Sequence, residues 1–274
     1  MKWKLLALDL DGTTLNSSEQ ISDTNISAIQ RASQAGIRVI VTTGRSYTSA
    51  SRFIHRLGTT DPTITYNGAL IRNGTSVLRS LTLEGTIVRD TLTLLKELGQ
   101  SPVVYSVDDK RYVDEPEKLI PGFFEFSKGS GIENIQVADL MSQCWEHVIR
   151  VSVFTDETTT QKLDEELGRR LVGSIKTAQT YFSDWNFWIF EVLNPECSKP
   201  KALQYLCDLY GFDREEVIAV GDNRNDVEML DWAGMGVAMR NSLPDVLRHA
   251  DYVTTRDNNE HGVAEVIDRF ILSG

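Results

Sequence analysis

Leu5-Leu6-Ala7-Leu8-Asp9-Leu10-Asp11-Gly12-Thr13 is the stretch whose pattern sets the fold class. Four consecutive apolar residues read as a strand buried on both faces, and the polar Asp-x-Asp-Gly after them reads as a turn at its carboxyl end. The same order recurs downstream. Ser22 to Gly36 carries Ile26, Ile29 and Ala32 at helical spacing between a capping serine and a stopping glycine, which predicts a helix. Arg38-Val39-Ile40-Val41 is a second buried-strand run, ending in Thr42-Thr43-Gly44-Arg45. A helix over about 47–57 and a third strand over 63–66, ending at Asn67-Gly68, complete a strand-helix-strand alternation. That alternation implies a parallel sheet with right-handed crossovers.

From about residue 71 the pattern shifts to shorter alternations. Val103 to Val107, the turn Asp108-Asp109-Lys110 and Arg111-Tyr112-Val113 predict a hairpin; 148–154 and 187–193 predict strands, with a helix over 159–172 between them. After Asn194-Pro195 the first pattern returns. It predicts a helix over 201–210, a strand over 217–220, the turn Gly221-Asp222-Asn223-Arg224-Asn225-Asp226 and a helix over 227–233. A short strand at 237–239, a helix near 242–249, a strand at 252–254 and a last helix follow. The expected fold class is α/β, a Rossmann-like parallel-sheet core built from residues 1–82 and 192–274 and interrupted by an inserted α+β cap domain over 83–191.

A length of 274 residues suits about two domains. With 28 Lys and Arg against 39 Asp and Glu, the formal charge is −11, a surface that repels nucleic-acid phosphates and anionic lipid headgroups. No nucleic acid and no membrane are expected as partners. Cys144, Cys197 and Cys207 show neither a disulfide framework nor zinc-ligand spacing. The apolar start is stopped by Asp9, too soon for a signal peptide, and no run approaches the roughly 18 apolar residues that span a bilayer. A cytoplasmic location is the expectation.

In an open parallel sheet, ligands bind beyond the carboxyl ends of the strands. Four predicted strands end in small or polar residues: Asp9/Asp11, Thr43/Gly44, Asn67/Gly68 and Asp222/Asn225/Asp226. Taken singly, each is more often a turn than a site. On one sheet edge they would gather up to four carboxylates, and an unneutralised pair about 4 Å apart costs on the order of 4 kcal/mol at an effective dielectric near 20. Such a cluster calls for a hard cation. Oxygen ligands with no His or Cys nearby favour magnesium, which keeps waters and bridges to phosphate.

Asp9-Leu10-Asp11-Gly12-Thr13, Thr43-Gly44-Arg45, Asn67-Gly68-Ala69, Ser198-Lys199 and Gly221-Asp222-Asn223-Arg224-Asn225-Asp226, in this order, resemble the motifs of the haloacid dehalogenase superfamily of phosphatases. Glu191-Val192 ahead of Ser198-Lys199, the run Gly236 to Asn241, and His261-Gly262-Val263-Ala264 resemble its Cof-like branch, subfamily IIB. The core motifs lie in about the first 80 and last 80 residues; the middle third matches only as the family's cap, in position and size.

The resemblance implies that Asp9 is a nucleophile that forms an aspartyl-phosphate and that Asp11 is a general acid and base whose backbone carbonyl touches magnesium. It implies Asp222 as a direct metal ligand and Asp226 as the holder of a metal-bound water or of Lys199. Thr43, the backbone of Leu10 and Gly44, and Asn225 would donate to the phosphoryl oxygens, with Lys199 adding charge. Lys201 competes with Lys199, because Ser198-Lys199-Pro200-Lys201 stands where the family has Ser-Lys-Gly; proline suits a first helical turn, so the geometry should survive. Thr14 replaces a common leucine, with a packing effect expected. Arg45 is expected to pair with a core carboxylate rather than to steer substrate. His55, His147, His249 and His261 have no ligand spacing, and the rings of Tyr181, Phe182, Trp185, Phe187, Trp188 and Phe190 are expected chiefly in the cap core.

The function implied is a Mg2+-dependent phosphatase that hydrolyses small phosphorylated metabolites, sugar phosphates or phosphorylated cofactors, as a monomer or weak homodimer. The alternatives are a phosphomutase or phosphotransferase of the same superfamily and a non-catalytic binder of magnesium and phosphate.

Overall fold

The computed structural model describes residues 2–182 and 186–273, and the side chains of all of these except 124–126 and 182. The chain forms two compact units, Met1–Leu78 with Ser198–Gly274 and, between them, Arg79–Cys197.

In chain order the first unit contains β1 (Leu5–Leu8), α1 (Asp23–Gln34), β2 (Arg38–Thr42), α2 (Tyr47–Leu57), β3 (Thr63–Thr65) and β4 (Leu70–Asn73). The strand β5 (Ser76–Ser80) follows, and α3 (Gly85–Glu97), β6 (Val103–Ser106), β7 (Lys110–Val113), α4 (Pro121–Gly129), β8 (Glu133–Gln136), β9 (Val148–Thr155), α5 (Glu157–Arg170), β10 (Lys176–Phe182) and β11 (Phe187–Leu193) belong to the second unit. The chain then returns through α6 (Lys199–Tyr210), β12 (Val217–Gly221), α7 (Val227–Trp232), β13 (Met235–Ala238), β14 (Tyr252–Val253) and α8 (Gly262–Phe270). The second unit includes the whole of β11, so the expected boundary at 191/192 falls inside a strand.

The first sheet has the order β14-β13-β12-β1-β2-β3-β4-β5, and β14 through β3 run parallel. Side chains alternate across it. Leu6 and Leu8 pack with α1, α2 and α8 through Ile29, Phe53 and Val266, while Leu5 and Ala7 pack with α6 and α7 through Leu203, Leu206 and Met229. Helices on both faces explain why every residue of β1 is buried and apolar, each leucine contributing about 1.5–3 kcal/mol. Ser22 caps α1 by accepting from the Asn25 N–H, and Ser46 caps α2 by accepting from Ser49.

The sheet is parallel from β14 through β3, as expected; β4, which the sequence pattern did not place in it, runs antiparallel to β3, because the four residues between Thr65 and Leu70 are too few for a crossover. One expectation needs correction. The predicted helix near 242–249 is a loop with one short 3-10 turn, Leu247–His249. Pro244 lacks the N–H a helix needs, and the Leu243 N–H instead donates to the Asp222 carbonyl.

In the second unit the strand order is β10-β11-β9-β6-β7-β8, antiparallel except for β7 with β8. Phe190 joins Leu92, Leu95, Leu163 and Leu167 of α3 and α5 in its core. Phe187 packs edge-on against Phe154, and Trp188 lies 5.2 Å from the exposed Tyr181 ring. Trp185 and the Phe182 side chain lie outside the described residues. Among the described residues no helix is long and apolar enough to cross a membrane.

Candidate active site

After β1 the backbone turns sharply through Leu10–Thr14. Gly12 sits at φ +76°, and a Cβ there would stand 2.2 Å from Asp222 Oδ2, so this turn admits only glycine on both conformational and steric grounds. Side chains from distant segments pin the turn. Thr13 Oγ1 donates to Asp222 Oδ1 at 2.8 Å, Asn241 Nδ2 to the Gly12 carbonyl at 2.8 Å, and Asn258 Nδ2 to the Leu15 carbonyl at 2.9 Å. Thr14 was expected only to pack; instead its buried hydroxyl donates to the Asp9 carbonyl at 2.6 Å. A leucine would leave that carbonyl without this donor.

Lys199 is the first residue of α6, placed there by Ser198, whose hydroxyl caps the helix on the Lys201 N–H, and by Pro200 in the first turn. The Lys199 side chain is buried. Its Nζ donates to Asp9 Oδ1 at 2.7 Å, to Asp226 Oδ1 at 2.5 Å and to the Thr42 carbonyl at 3.3 Å. Lys201 is exposed. The proline therefore leaves Lys199 as the lysine beside Asp9.

Asp222 and Asp226 follow β12. Both backbone N–H groups of Asp222 and Asn223 donate to Asp226 Oδ2, at 3.0 and 3.1 Å, so both oxygens of Asp226 are engaged, one by the loop and one by Lys199. One carboxylate oxygen from each of Asp9, Asp222 and Asp226 lies within 4.8 Å of the others. Three acidic groups thus face one ammonium. Burial first, then the charge of Asp226, holds Asp9 well above the ordinary carboxylate range against the opposing pull of Lys199. For the same two reasons Asp222 is pushed up to about 8. Burial alone would lower Lys199, but Asp226 and Asp9 outweigh it and raise the ammonium above its usual value.

Thr43 is buried at the end of β2; its N–H donates to the Ile64 carbonyl and its Oγ1 accepts from the Arg45 N–H. That leaves the hydroxyl proton as the donor Thr43 can offer. Tyr66, Asn67 and Gly68 all have positive φ, at 51°, 54° and 103°, a left-handed turn that costs about 1–2 kcal/mol per non-glycine residue. Gly68 is required, since a Cβ there would lie 2.2 Å from the Ser198 carbonyl oxygen. The turn directs the Asn67 amide toward Gly44, and Asn67 Oδ1 accepts from Asn225 Nδ2 at 3.0 Å. The Leu10 side chain is buried in the apolar core.

Asp11 stands apart from the three clustered carboxylates. Its side chain is 50% exposed and forms an ion pair with Arg45, as expected of Arg45. His261 Nδ1 meets Ser22 Oγ and His249 Nδ1 meets Asp231, consistent with their expected structural or surface roles. Asn67 was expected at this edge without a stated role; Thr13 had an available signal, its place beside the Asp-x-Asp-Gly turn, whereas Asn241 and Asn258 act across the fold.

A family model of haloacid dehalogenase-like hydrolases matches residues 6–267. The chain is 31% identical to the 5-amino-6-(5-phospho-D-ribitylamino)uracil phosphatase YitU of Bacillus subtilis, with 97% of each protein covered. It is 30% identical to phosphatase YwpJ of the same organism, over 98% of this chain and 100% of that protein. A crystal structure of a haloacid dehalogenase-like hydrolase from Bacteroides thetaiotaomicron superposes with a TM-score of 0.84 at 29% identity, covering 98% of this chain and all of that one. The chain belongs to the haloacid dehalogenase-like hydrolases, in their Cof-like subfamily IIB, and is an enzyme of the phosphatase type.

Proposed function

We propose that the protein hydrolyses small phosphomonoesters, sugar phosphates or phosphorylated cofactors, with magnesium and through a phosphoryl group carried on Asp9. The observation that carries this reading is the buried Asp9 carboxylate, one oxygen tied to Lys199 and set beside Asp222 and Asp226 with surplus negative charge. The donor set fits magnesium: every candidate ligand atom is oxygen, and the excess of carboxylate over ammonium is what a divalent cation offsets. Asp9, Asp222 and the Asp11 backbone carbonyl would hold it, with Asp226 acting by fixing Lys199 or a metal-bound water. When bound, the ion supplies Lewis-acid polarisation of a phosphoryl oxygen.

The residues themselves divide the chemistry. An Asp9 oxygen attacks phosphorus, the bond from phosphorus to the ester oxygen breaks with its electron pair, and Asp11 gives that oxygen its proton. Water then attacks the phosphorus of the aspartyl-phosphate, its proton returns to Asp11, and Asp9 leaves as a carboxylate. Asp11 is thereby restored and inorganic phosphate is released. The Thr43 hydroxyl, the N–H groups of Leu10 and Gly44, and Asn225 donate to the phosphoryl oxygens, while Lys199 supplies positive charge.

Since unit 1–78 with 198–274 contains all of these groups, we assign recognition of the leaving group to the unit 79–197. The name of YitU, a phosphatase for a phosphate ester on a ribityl chain, supports the polyol-phosphate class. The test is hydrolysis of p-nitrophenyl phosphate with and without magnesium. Asp9→Ala should abolish it, and Asp11→Asn should slow turnover severely while phosphate still binds. Full activity in Asp9→Ala would reject the nucleophile, and the same result in Asp11→Asn would reject the acid and base.

A further inference from the structure

The peptide that joins Asp9 to Leu10 is anchored at its carbonyl end. β1 pairs with β2 in the register Leu5↔Arg38 to Leu8↔Val41, with the Arg38 N–H donating to the Lys4 carbonyl. Continued past Leu8, that ladder would seat the Leu10 N–H on the Thr42 carbonyl. The chain turns after Asp9 instead, and the Thr42 carbonyl accepts from Lys199 Nζ at 3.3 Å. Among the described residues no backbone carbonyl takes the Leu10 N–H. At the other end of the same peptide, the hydroxyl of the buried Thr14 donates to the Asp9 carbonyl at 2.6 Å.

A trans peptide is planar, and its C=O and N–H point in opposite directions. An anchor on the Asp9 oxygen therefore sets the direction of the Leu10 N–H. The same bond draws electron density toward that oxygen, and coupling of this kind strengthens the N–H as a donor by about 10–30%. Thr14 is held in turn by the loop it closes, where the Leu15 N–H donates to the Leu10 carbonyl at 2.8 Å and Asn241 holds the Gly12 carbonyl. We infer that Thr14 is a positioning residue: its hydroxyl fixes the Asp9–Leu10 peptide so that the Leu10 N–H is aimed, before substrate arrives, at an oxygen of the phosphoryl group transferred to Asp9. This rests on the Leu10 N–H as a phosphoryl donor. A hydroxyl that served only packing and its own hydrogen bond would affect stability and leave that N–H unchanged.

Thr14→Val keeps the shape of the side chain and removes the donor. By NMR in EDTA, this variant should move the Asp9 carbonyl carbon upfield, the sign of a lost hydrogen bond, and Thr14→Ser should return most of that shift. With magnesium present, inorganic phosphate should move the Leu10 amide proton downfield in the native protein and by less in Thr14→Val. On p-nitrophenyl phosphate, Thr14→Val should lower kcat about 10-fold, short of the roughly 100- to 1,000-fold loss when such a donor is removed outright. KM should hold within about threefold, and Thr14→Ser should recover most of kcat. Equal responses of the Leu10 amide in both proteins would overturn the inference, as would a lower Tm with unchanged kinetics. A Leu10 amide that ignores phosphate in the native protein would mean that the donor assignment itself has failed, and the inference falls with it; a native response that survives in Thr14→Val removes only the role of Thr14. Should Thr14→Val fail to fold, Thr14→Cys, close in size and with a weak S–H donor, must show the same changes in smaller measure, and their absence counts against the proposal.

Discussion

Replacing Lys199 with methionine keeps the length of the side chain and removes the one ammonium between Asp9 and Asp226. At 2.7 Å and an effective dielectric near 20, its contact with Asp9 carries about 6 kcal/mol of gross attraction, and the Asp226 contact is of similar size. Burial of the ammonium offsets most of this. The remaining cost of stripping one member from a buried ion pair is about 3–5 kcal/mol, or about 6–20 °C in Tm at roughly 2–4 °C per kcal/mol. That deficit depends on pH with a definite sign. Asp9 is already held above its ordinary value, and without Lys199 it rises further, so the folded variant binds more protons than the unfolded chain and loses stability as pH rises. Thermal unfolding of both proteins in EDTA, scanned from pH 5 to pH 8, measures this. The gap in Tm should be widest at pH 8 and narrow toward pH 5, where protons stand in for the ammonium. A gap below about 1 kcal/mol at pH 8, or one that widens on acidification, would refute the electrostatic account of the site.

Magnesium should raise Tm more at pH 8.5 than at pH 6, since the Asp222 carboxyl, pushed up to about 8, destabilises the fold progressively as pH climbs from its ordinary 3.8 and a cation relieves that strain; equal shifts at both pH values would argue against binding there. Gly12→Ala should cost at least about 1–2 kcal/mol from the left-handed backbone alone and also weaken magnesium binding by calorimetry, because its Cβ would meet Asp222 at 2.2 Å. Asn67→Gly keeps the left-handed turn but loses the acceptor for Asn225, so competitive inhibition by inorganic phosphate should weaken about 5- to 10-fold, one hydrogen bond's worth, with Tm nearly unchanged; an unaltered inhibition constant would exclude Asn67 from positioning Asn225.

The parallel core was legible because its signals are local. Leu5–Leu8 and Val217–Gly221 are short apolar runs bounded by turn residues, and Tyr47–Leu57 lies between a serine cap and a left-handed Gly58, so hydrophobic period and punctuation coincide. The hairpin of β4 and β5 was not, because Ser76–Ser80 is largely exposed and carries no buried stripe to reveal which sheet it joins. The loop at 242–249 read as a helix because Leu243, Val246 and Leu247 have helical spacing, while the competing bond from Leu243 to the Asp222 carbonyl spans 21 residues and leaves no trace in the local pattern.

The order of residues along the chain was enough to gather the carboxylates, because turns at strand ends must collect at one edge of a parallel sheet; Lys199 came only from the resemblance to the family's motifs. It could not say which oxygen meets which donor. That Lys199 rather than Lys201 lies between Asp9 and Asp226, that Thr14 bonds rather than packs, and that Asp11 faces Arg45 while its neighbours face one another follow from contacts between residues up to 190 apart. Such contacts form only when the helices settle on the sheet, and their strength depends on burial, a property no residue has until the chain has folded around it.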